Sequence, residues 1–231
     1  MGLPAPVAEM MFFENAYRPI CGDVGFIGRQ TTYLTERTLE YLAKKYSVNP
    51  GANFFIEIEN STRQAIGGFS LHGNLLRLIT DRSLMNFIGA NTFSAVDVSD
   101  YEGADVICDL SLPIDDDLHE RFDFIFNGSC LDNIFNPATA LCNLSKMLRP
   151  GGRLVMIEHG SFFNEPYTIF SPGWFFDFFA ENAYSDVKVY LGLFSDSTNL
   201  HVGPWPLFVM NWAAIPSGST PKIPADTELM Y

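Results

Sequence analysis

The chain has 231 residues, 47% hydrophobic and 18% charged, enough to bury one sizeable core and too apolar for a disordered polymer. Its formal net charge is -13, with only 14 Lys and Arg and no basic run. That excludes the clustered cations that nucleic-acid backbones and anionic membrane surfaces require. The first residues show no basic segment followed by an apolar one, and no apolar stretch nears the roughly 20 residues needed to span a bilayer. A cytoplasmic protein is expected, with Cys21, Cys108, Cys130 and Cys142 as buried reduced thiols, since their wide spacing matches no metal finger.

In chain order, Asp23-Val-Gly-Phe-Ile-Gly-Arg-Gln reads as a buried strand entering a glycine turn. A helix is predicted from about Thr35 to Tyr46, with Leu39, Leu42, Ala43 and Tyr46 on one face, ended by Asn49-Pro50-Gly51. Asn53 to Glu59 alternates like a strand, and Asp81 suits the cap of a helix carrying Leu84, Met85, Phe87 and Ile88, stopped at Gly89. The pattern then becomes regular. Phe93 to Val98, Asp105 to Leu110, and Phe122 to Asn127 read as strands, the last apolar on both faces as a central parallel strand is. Asn136-Pro137 opens a helix over 138–148, Pro150-Gly-Gly turns the chain, and Arg153 to His159 is another buried strand. Ser171-Pro172 begins an aromatic helix over 174–179, and Lys188 to Phe194 with Leu207 to Trp212 form a terminal strand pair. The tail 216–231 is expected to be loosely held. Alternating strands and helices predict an α/β fold with a doubly wound, mostly parallel sheet and an antiparallel edge.

Leu148-Arg-Pro-Gly-Gly between a helix and a strand resembles the junction entering the fifth strand of class I S-adenosylmethionine-dependent methyltransferases. Three further blocks are similar to a bacterial methyltransferase-like group and occur in the same order. They are Ser94 to Ile114, with its S-x-Y-E-G-A turn, Phe122 to Pro137, and Phe170-Ser-Pro. The resemblance implies one domain over 1–215, an insertion at about 47–92, a seven-stranded Rossmann-like sheet and S-adenosylmethionine as cofactor.

It also implies site residues. Ligands of open α/β sheets bind outside the carboxyl ends of the strands. Asp97 would then accept the ribose hydroxyls, Asp109 and Leu110 would border adenine, and Asn127 and Gly128 would lie beside the methionine moiety. The plain alternative for Asp97 and Asp109 is a turn or helix cap. No G-x-G-x-G loop is present, and two segments compete for that role. Gly25-Phe-Ile-Gly-Arg-Gln precedes a good helix and resembles the L-x-x-G-R-Q strand end, which would set Gly28 in the turn and aim Arg29 and Gln30 at the cofactor carboxylate. Ile56-Glu-Ile-Glu-Asn-Ser lies nearer Asp97 in sequence and also looks like a first strand. The first is preferred.

The group pattern D-G-G-T-L-E-H becomes Asn127-Gly-Ser-Cys-Leu-Asp132-Asn133 here, without its leading Asp and its His. The candidate bases are therefore His159, at a strand end facing the cleft, then Glu158 and Asp132. His72, His119 and His201 fall in predicted loops, and no metal ligation is expected. Tyr167, Phe170, Trp174, Phe175 and Phe178 form a stripe that reads first as core, and otherwise as a wall over a ring-bearing substrate or a homodimer contact. The expected activity is methyl transfer to a small molecule such as a sugar or secondary metabolite. The alternatives are other chemistry on the same fold and a non-catalytic binding module.

Overall fold

The computed structural model describes residues 2–51, 54–60, 77–161, 166–195, 203–210 and 228–230. Helix α1 (Ala5–Tyr17) leads into β1 (Gly22–Ile27), followed by α2 (Glu36–Tyr46), β2 (Ile58–Asn60), β3 (Arg77–Ile79) and α3 (Asp81–Ile88). Then come β4 (Ala90–Asp97), β5 (Val106–Ile107), β6 (Phe122–Gly128), α4 (Pro137–Met147) and β7 (Leu148–Ile157). The chain closes with α5 (Pro172–Glu181), β8 (Val189–Phe194), β9 (Leu207–Met210) and β10 (Glu228–Met230).

The central sheet has the order β5-β4-β1-β6-β7, and every pairing in it is parallel. Strand β1 stands in the middle, with Val24 opposite Phe93 on one side and Phe124 on the other. Its period of two divides side chains between two cores. Val24 and Phe26 of β1, Phe93 and Ala95 of β4, and Phe124 and Phe126 of β6 pack beneath α1, α2 and α3. Ile27, Val96 and Ile125 pack on the other face beneath α4 and α5. Phe26 is fully buried, with ring centroids 5.0 Å from Phe93 and 4.9 Å from Phe126. Burying such a ring contributes about 1.5–3 kcal/mol. The sheet is therefore covered on both sides, and its carboxyl edge is where side chains of several strands converge.

This arrangement is the expected mixed α/β fold with a mostly parallel sheet. Its strands divide differently from a single seven-stranded sheet. Five are parallel, and β8, β9 and β10 form a separate antiparallel sheet of order β10-β8-β9. Helix α1 stands between the two sheets: Arg153 of β7 donates to the Glu14 and Arg18 carbonyls, while Lys188 and Tyr190 reach the Glu14 carboxylate. No sequence period marks α1, because its apolar residues are spread around the helix and show no single face.

Helix ends agree with the sequence in type and differ in detail. Thr35 caps α2 by accepting from Thr38 N at 3.2 Å, and α2 stops at Ser47 in a left-handed conformation, earlier than Asn49-Pro50-Gly51. The cap of α3 is Thr80, accepting from Ser83 N, and Asp81 is instead the first helical residue, 1% exposed. Asn136 caps α4 as expected. The Pro150-Gly-Gly turn is a bulge inside β7, since the ladder pairs Phe122 with Leu148 and resumes at Phe124 with Arg153. Phe170, Phe175 and Phe176 are buried and Trp174 and Phe178 pack against them, so most of the aromatic stripe is core. Tyr167 is not: it is exposed and stacks on exposed Phe135 with centroids 4.6 Å apart. Cys21 and Cys142 are exposed, contrary to the expectation of buried thiols, because Cys21 lies in the link before β1 and Cys142 on the outer face of α4. Glu228–Met230, within the stretch expected to be loose, pair with β8. His72, His201 and most of the tail lie outside the described residues.

Candidate functional site at the carboxyl edge of the sheet

The topology settles which segment is the first strand. Gly22–Ile27 is flanked by β4 and β6, whereas Ile58–Asn60 pairs only with β3, away from the central sheet. The chain runs outward from β1 through β4 to β5, then returns to β6 and β7 on the other side, so the switch point lies between β1 and β6. Ligand crevices form at such points.

Gly28 ends β1 with φ +69°, a left-handed conformation that glycine adopts without the Cβ penalty. Its amide donates to Val96 O at 2.7 Å, which draws the ends of β1 and β4 together. A Cβ on Gly28 would stand 3.5 Å from Asp97 Oδ2, 3.6 Å from Cys130 Sγ and 3.7 Å from Gln30 Nε2. Two chain-distant segments thus meet the β1 turn around this one glycine. Beyond it the chain runs extended, tied to Leu3 through Leu3 N to Thr31 O and Tyr33 N to Leu3 O. α2 starts only at Glu36, so no helix N-terminus points at Gly28.

The two residues after Gly28 part company. Arg29 grips Asp81 with Nε at 3.0 Å and Nη2 at 2.7 Å, and Gln30 N donates to the same carboxylate at 2.9 Å. Asp81, missed as a site residue and read as a cap, is what fixes this turn; only its burial, invisible in the sequence, distinguishes the two roles. Arg29 therefore directs Nε and Nη2 at α3. The Gln30 carboxamide is turned inward: Nε2 donates to Ile27 O at 3.1 Å, and Oε1 is buried without a hydrogen-bond partner among the described residues. It occupies the space left by the missing side chain of Gly128, where a Cβ would come within 2.6 Å of Oε1.

A second group of polar side chains lies buried at the ends of β6 and β7. Asn127 Nδ2 donates to Glu158 Oε1, and Asp132 N donates to Glu158 Oε2 at 3.2 Å. Burial, and then the neighbouring Asp132 carboxylate, push Glu158 well above the ordinary carboxylate range. Asp132 Oδ2 lies 2.5 Å from His159 Nδ1 and accepts from Ser129 Oγ at 2.5 Å, while Ser129 Oγ is also 3.0 Å from that same Nδ1. Serine and carboxylate share one ring nitrogen, so this is not a nucleophile relay, which needs them on opposite nitrogens. Ser129 stands at φ +59° where the group pattern has its second glycine, and its hydroxyl is what that position adds. Cys130 donates to Ile27 O, and burial raises its thiol to about 12, which removes it as a nucleophile.

Of the remaining candidates, Asp109 is exposed and closes its own turn, accepting from Ser111 Oγ at 2.6 Å and Ser111 N at 2.9 Å, bonds that hold its carboxyl below the usual range. Leu110 is buried in the core beneath α4, and its carbonyl accepts from Asn143. Exposed His119 has no neighbour in this site. Among the described residues no three or more His, Cys, Asp or Glu stand together as a metal site. No helix among them is long and apolar enough to cross a membrane.

The family model described as a methyltransferase domain matches residues 82–156. Over that stretch, about a third of its length, the chain is similar to a methyltransferase domain. The matched stretch runs from α3 through β7 and contains Asp97, Asn127, Gly128 and Asp132. Gly28 to Gln30 and Glu158-His159 lie outside it and meet its residues through the fold, Gly28 beside Asp97 and His159 beside Asp132. No curated protein matches the chain.

Proposed function

We propose that the chain transfers a methyl group from S-adenosylmethionine to a small-molecule acceptor, binding the cofactor across the ends of β4, β1 and β6. The observation that carries this reading is the meeting of left-handed Gly28 with the Asp97 carboxylate at the switch point of the sheet. The residues present suit the cofactor. Asp97 can accept from a vicinal diol, and Gln30 Oε1, buried and unpartnered among the described residues, can accept from an ammonium group. Gly28 leaves its inner side open toward Asp97. The cofactor supplies an electrophilic methyl on a positively charged sulfur, and the chain supplies position and proton removal.

His159 is the residue for proton removal. Asp132 on Nδ1 favours the tautomer with its proton there, which puts the ring's lone pair on Nε2. The Glu-His of the group pattern, absent at Asp132-Asn133, is thereby replaced by an Asp-His pair drawn from the turn after β6 and the end of β7. Tyr167 N and Thr168 N hold the Asp132 carbonyl, so the stacked Tyr167–Phe135 pair stands at the rim of this cluster and suits a ring-bearing acceptor such as a sugar or secondary metabolite. One observation favours a second reading, cofactor binding without methyl transfer. His159 is only 4% exposed, as a structural histidine would be.

Calorimetry with S-adenosylmethionine and its demethylated product tests the first step. Saturable binding of either, lost in Asp97→Ala, is expected; no heat from either ligand refutes the reading. Labelled methyl transfer into metabolite pools then separates the two readings. The enzyme reading requires transfer that falls at least 100-fold in His159→Gln with cofactor binding retained.

A further inference from the structure

A cavity of about 170 Å³ lies on the far side of β7 from the cofactor cleft. Its floor is the outer edge of β7, from Arg153 to Ile157. Its apolar walls are Met10 of α1, Phe175 and Phe179 of α5, and Trp205 with Leu207 at the start of β9. Strand β7 has no strand neighbour on this side among the described residues, because β8 pairs with β9 and β10 instead. The space is therefore built by the separation of the two sheets.

One end of the cavity is polar. Glu14 is 92% removed from solvent by the fold, at 8% exposure, and accepts from Tyr190 Oη at 3.1 Å. Lys188 Nζ stands 3.3 Å and 3.4 Å from the two Glu14 oxygens, a loose contact that leaves room for another partner. Burial pushes the Tyr190 hydroxyl up to about 12, so it remains a donor across the neutral range. The charges balance, with the Glu14 carboxylate facing the Lys188 ammonium and Arg153 held by backbone carbonyls beside Asp186. An occupant that added a net charge would upset this balance, whereas a neutral one with a hydrogen-bonding end would not.

We infer that this cavity between α1, β7 and β8 is a second small-molecule site, for an uncharged ligand of single-ring size with one hydroxyl or N–H directed at Glu14. The size argument is direct. An apolar cavity of about 150 Å³ holds benzene, so this one holds a ring with a short polar substituent. The inference does not rest on the proposed methyl transfer, since the cavity shares none of Gly28, Asp97, Gln30 or His159.

Benzyl alcohol is the probe, titrated into the full chain by calorimetry and by Trp fluorescence, with toluene as the probe lacking the polar end. Saturable binding of benzyl alcohol is expected, with toluene at least five-fold weaker. Leu207→Trp, at a partly exposed roof position, should weaken binding at least ten-fold by filling the space. Glu14→Gln should erase most of the difference between the two probes. Trp205→Phe should remove the fluorescence change while keeping the heat, which places the ligand against that indole. Absence of saturable binding to the unsubstituted chain, or affinity unchanged in a folded Leu207→Trp, overturns the inference. Equal affinity for benzyl alcohol and toluene overturns the role given to Glu14.

Discussion

Replacing Asn127 by Asp would restore the residue that the group pattern carries, and it should damage this protein. Asn127 is fully buried and its Nδ2 donates to Glu158, itself fully buried. An Asp there has no donor unless protonated, so the exchange leaves a buried acceptor of Glu158 without its partner, at a cost of about 1–3 kcal/mol. It also sets a third buried carboxyl beside Glu158 and Asp132. Two charges about 4 Å apart repel by about 4 kcal/mol at an effective dielectric near 20, and the pair escapes part of this by retaining a proton. A loss of about 3 kcal/mol at pH 8 follows. The sign with pH is fixed by linkage. A carboxyl whose folded pKa is raised keeps its proton in the folded state where the unfolded chain has lost it, so stability falls as pH rises above the unfolded value near 4. Glu158 already contributes in this direction, since its own range is shifted upward by burial. Urea unfolding of Asn127→Asp and the unsubstituted chain at pH 5 and pH 8 measures this. The gap should be wider at pH 8. A variant within about 0.5 kcal/mol of the parent at pH 8, or a gap that does not narrow on acidification, would refute the reasoning.

Gly28→Ala should cost about 1–2 kcal/mol of stability from its left-handed φ, while calorimetry with S-adenosylmethionine shows at least a ten-fold loss of affinity, because the methyl would enter the space facing Asp97. Arg29→Met leaves Asp81 buried with, among the described residues, only the Gln30 and Arg82 amides as donors; a loss of about 2–3 kcal/mol is expected in denaturant unfolding, below the fully buried range because the Arg29 side chain is 23% exposed. Ser129→Ala should be less stable than Ser129→Gly by about 1 kcal/mol in thermal unfolding, since both lose the bond to Asp132 and only Ala keeps the strain of φ +59°.

The parallel sheet was legible because its strands are short apolar runs bounded by turn residues, as at Phe122–Gly128 and Phe93–Asp97. Helices α2 and α4 were legible from caps, Thr35 and Asn136, and from one-sided periodicity. α1 was not, because a helix buried on most of its surface carries no period to detect. The five-plus-three division of strands was equally hidden, since β8 alternates in the same way whether it continues β7 or leaves it for β9.

The candidate site divides along the same line. The sequence by itself determined the residue types at the strand ends, Gly28, Asp97, Asn127, Gly128 and His159, because a strand's end is marked by local chemistry: a glycine, an acid, the loss of the apolar run. Only the tertiary structure decided which of them meet. It set Asp97 beside Gly28 from 69 positions along the chain, spent Arg29 on Asp81, and paired His159 with Asp132. Such pairings depend on strand order, and strand order is a balance of long-range burial that no local pattern records.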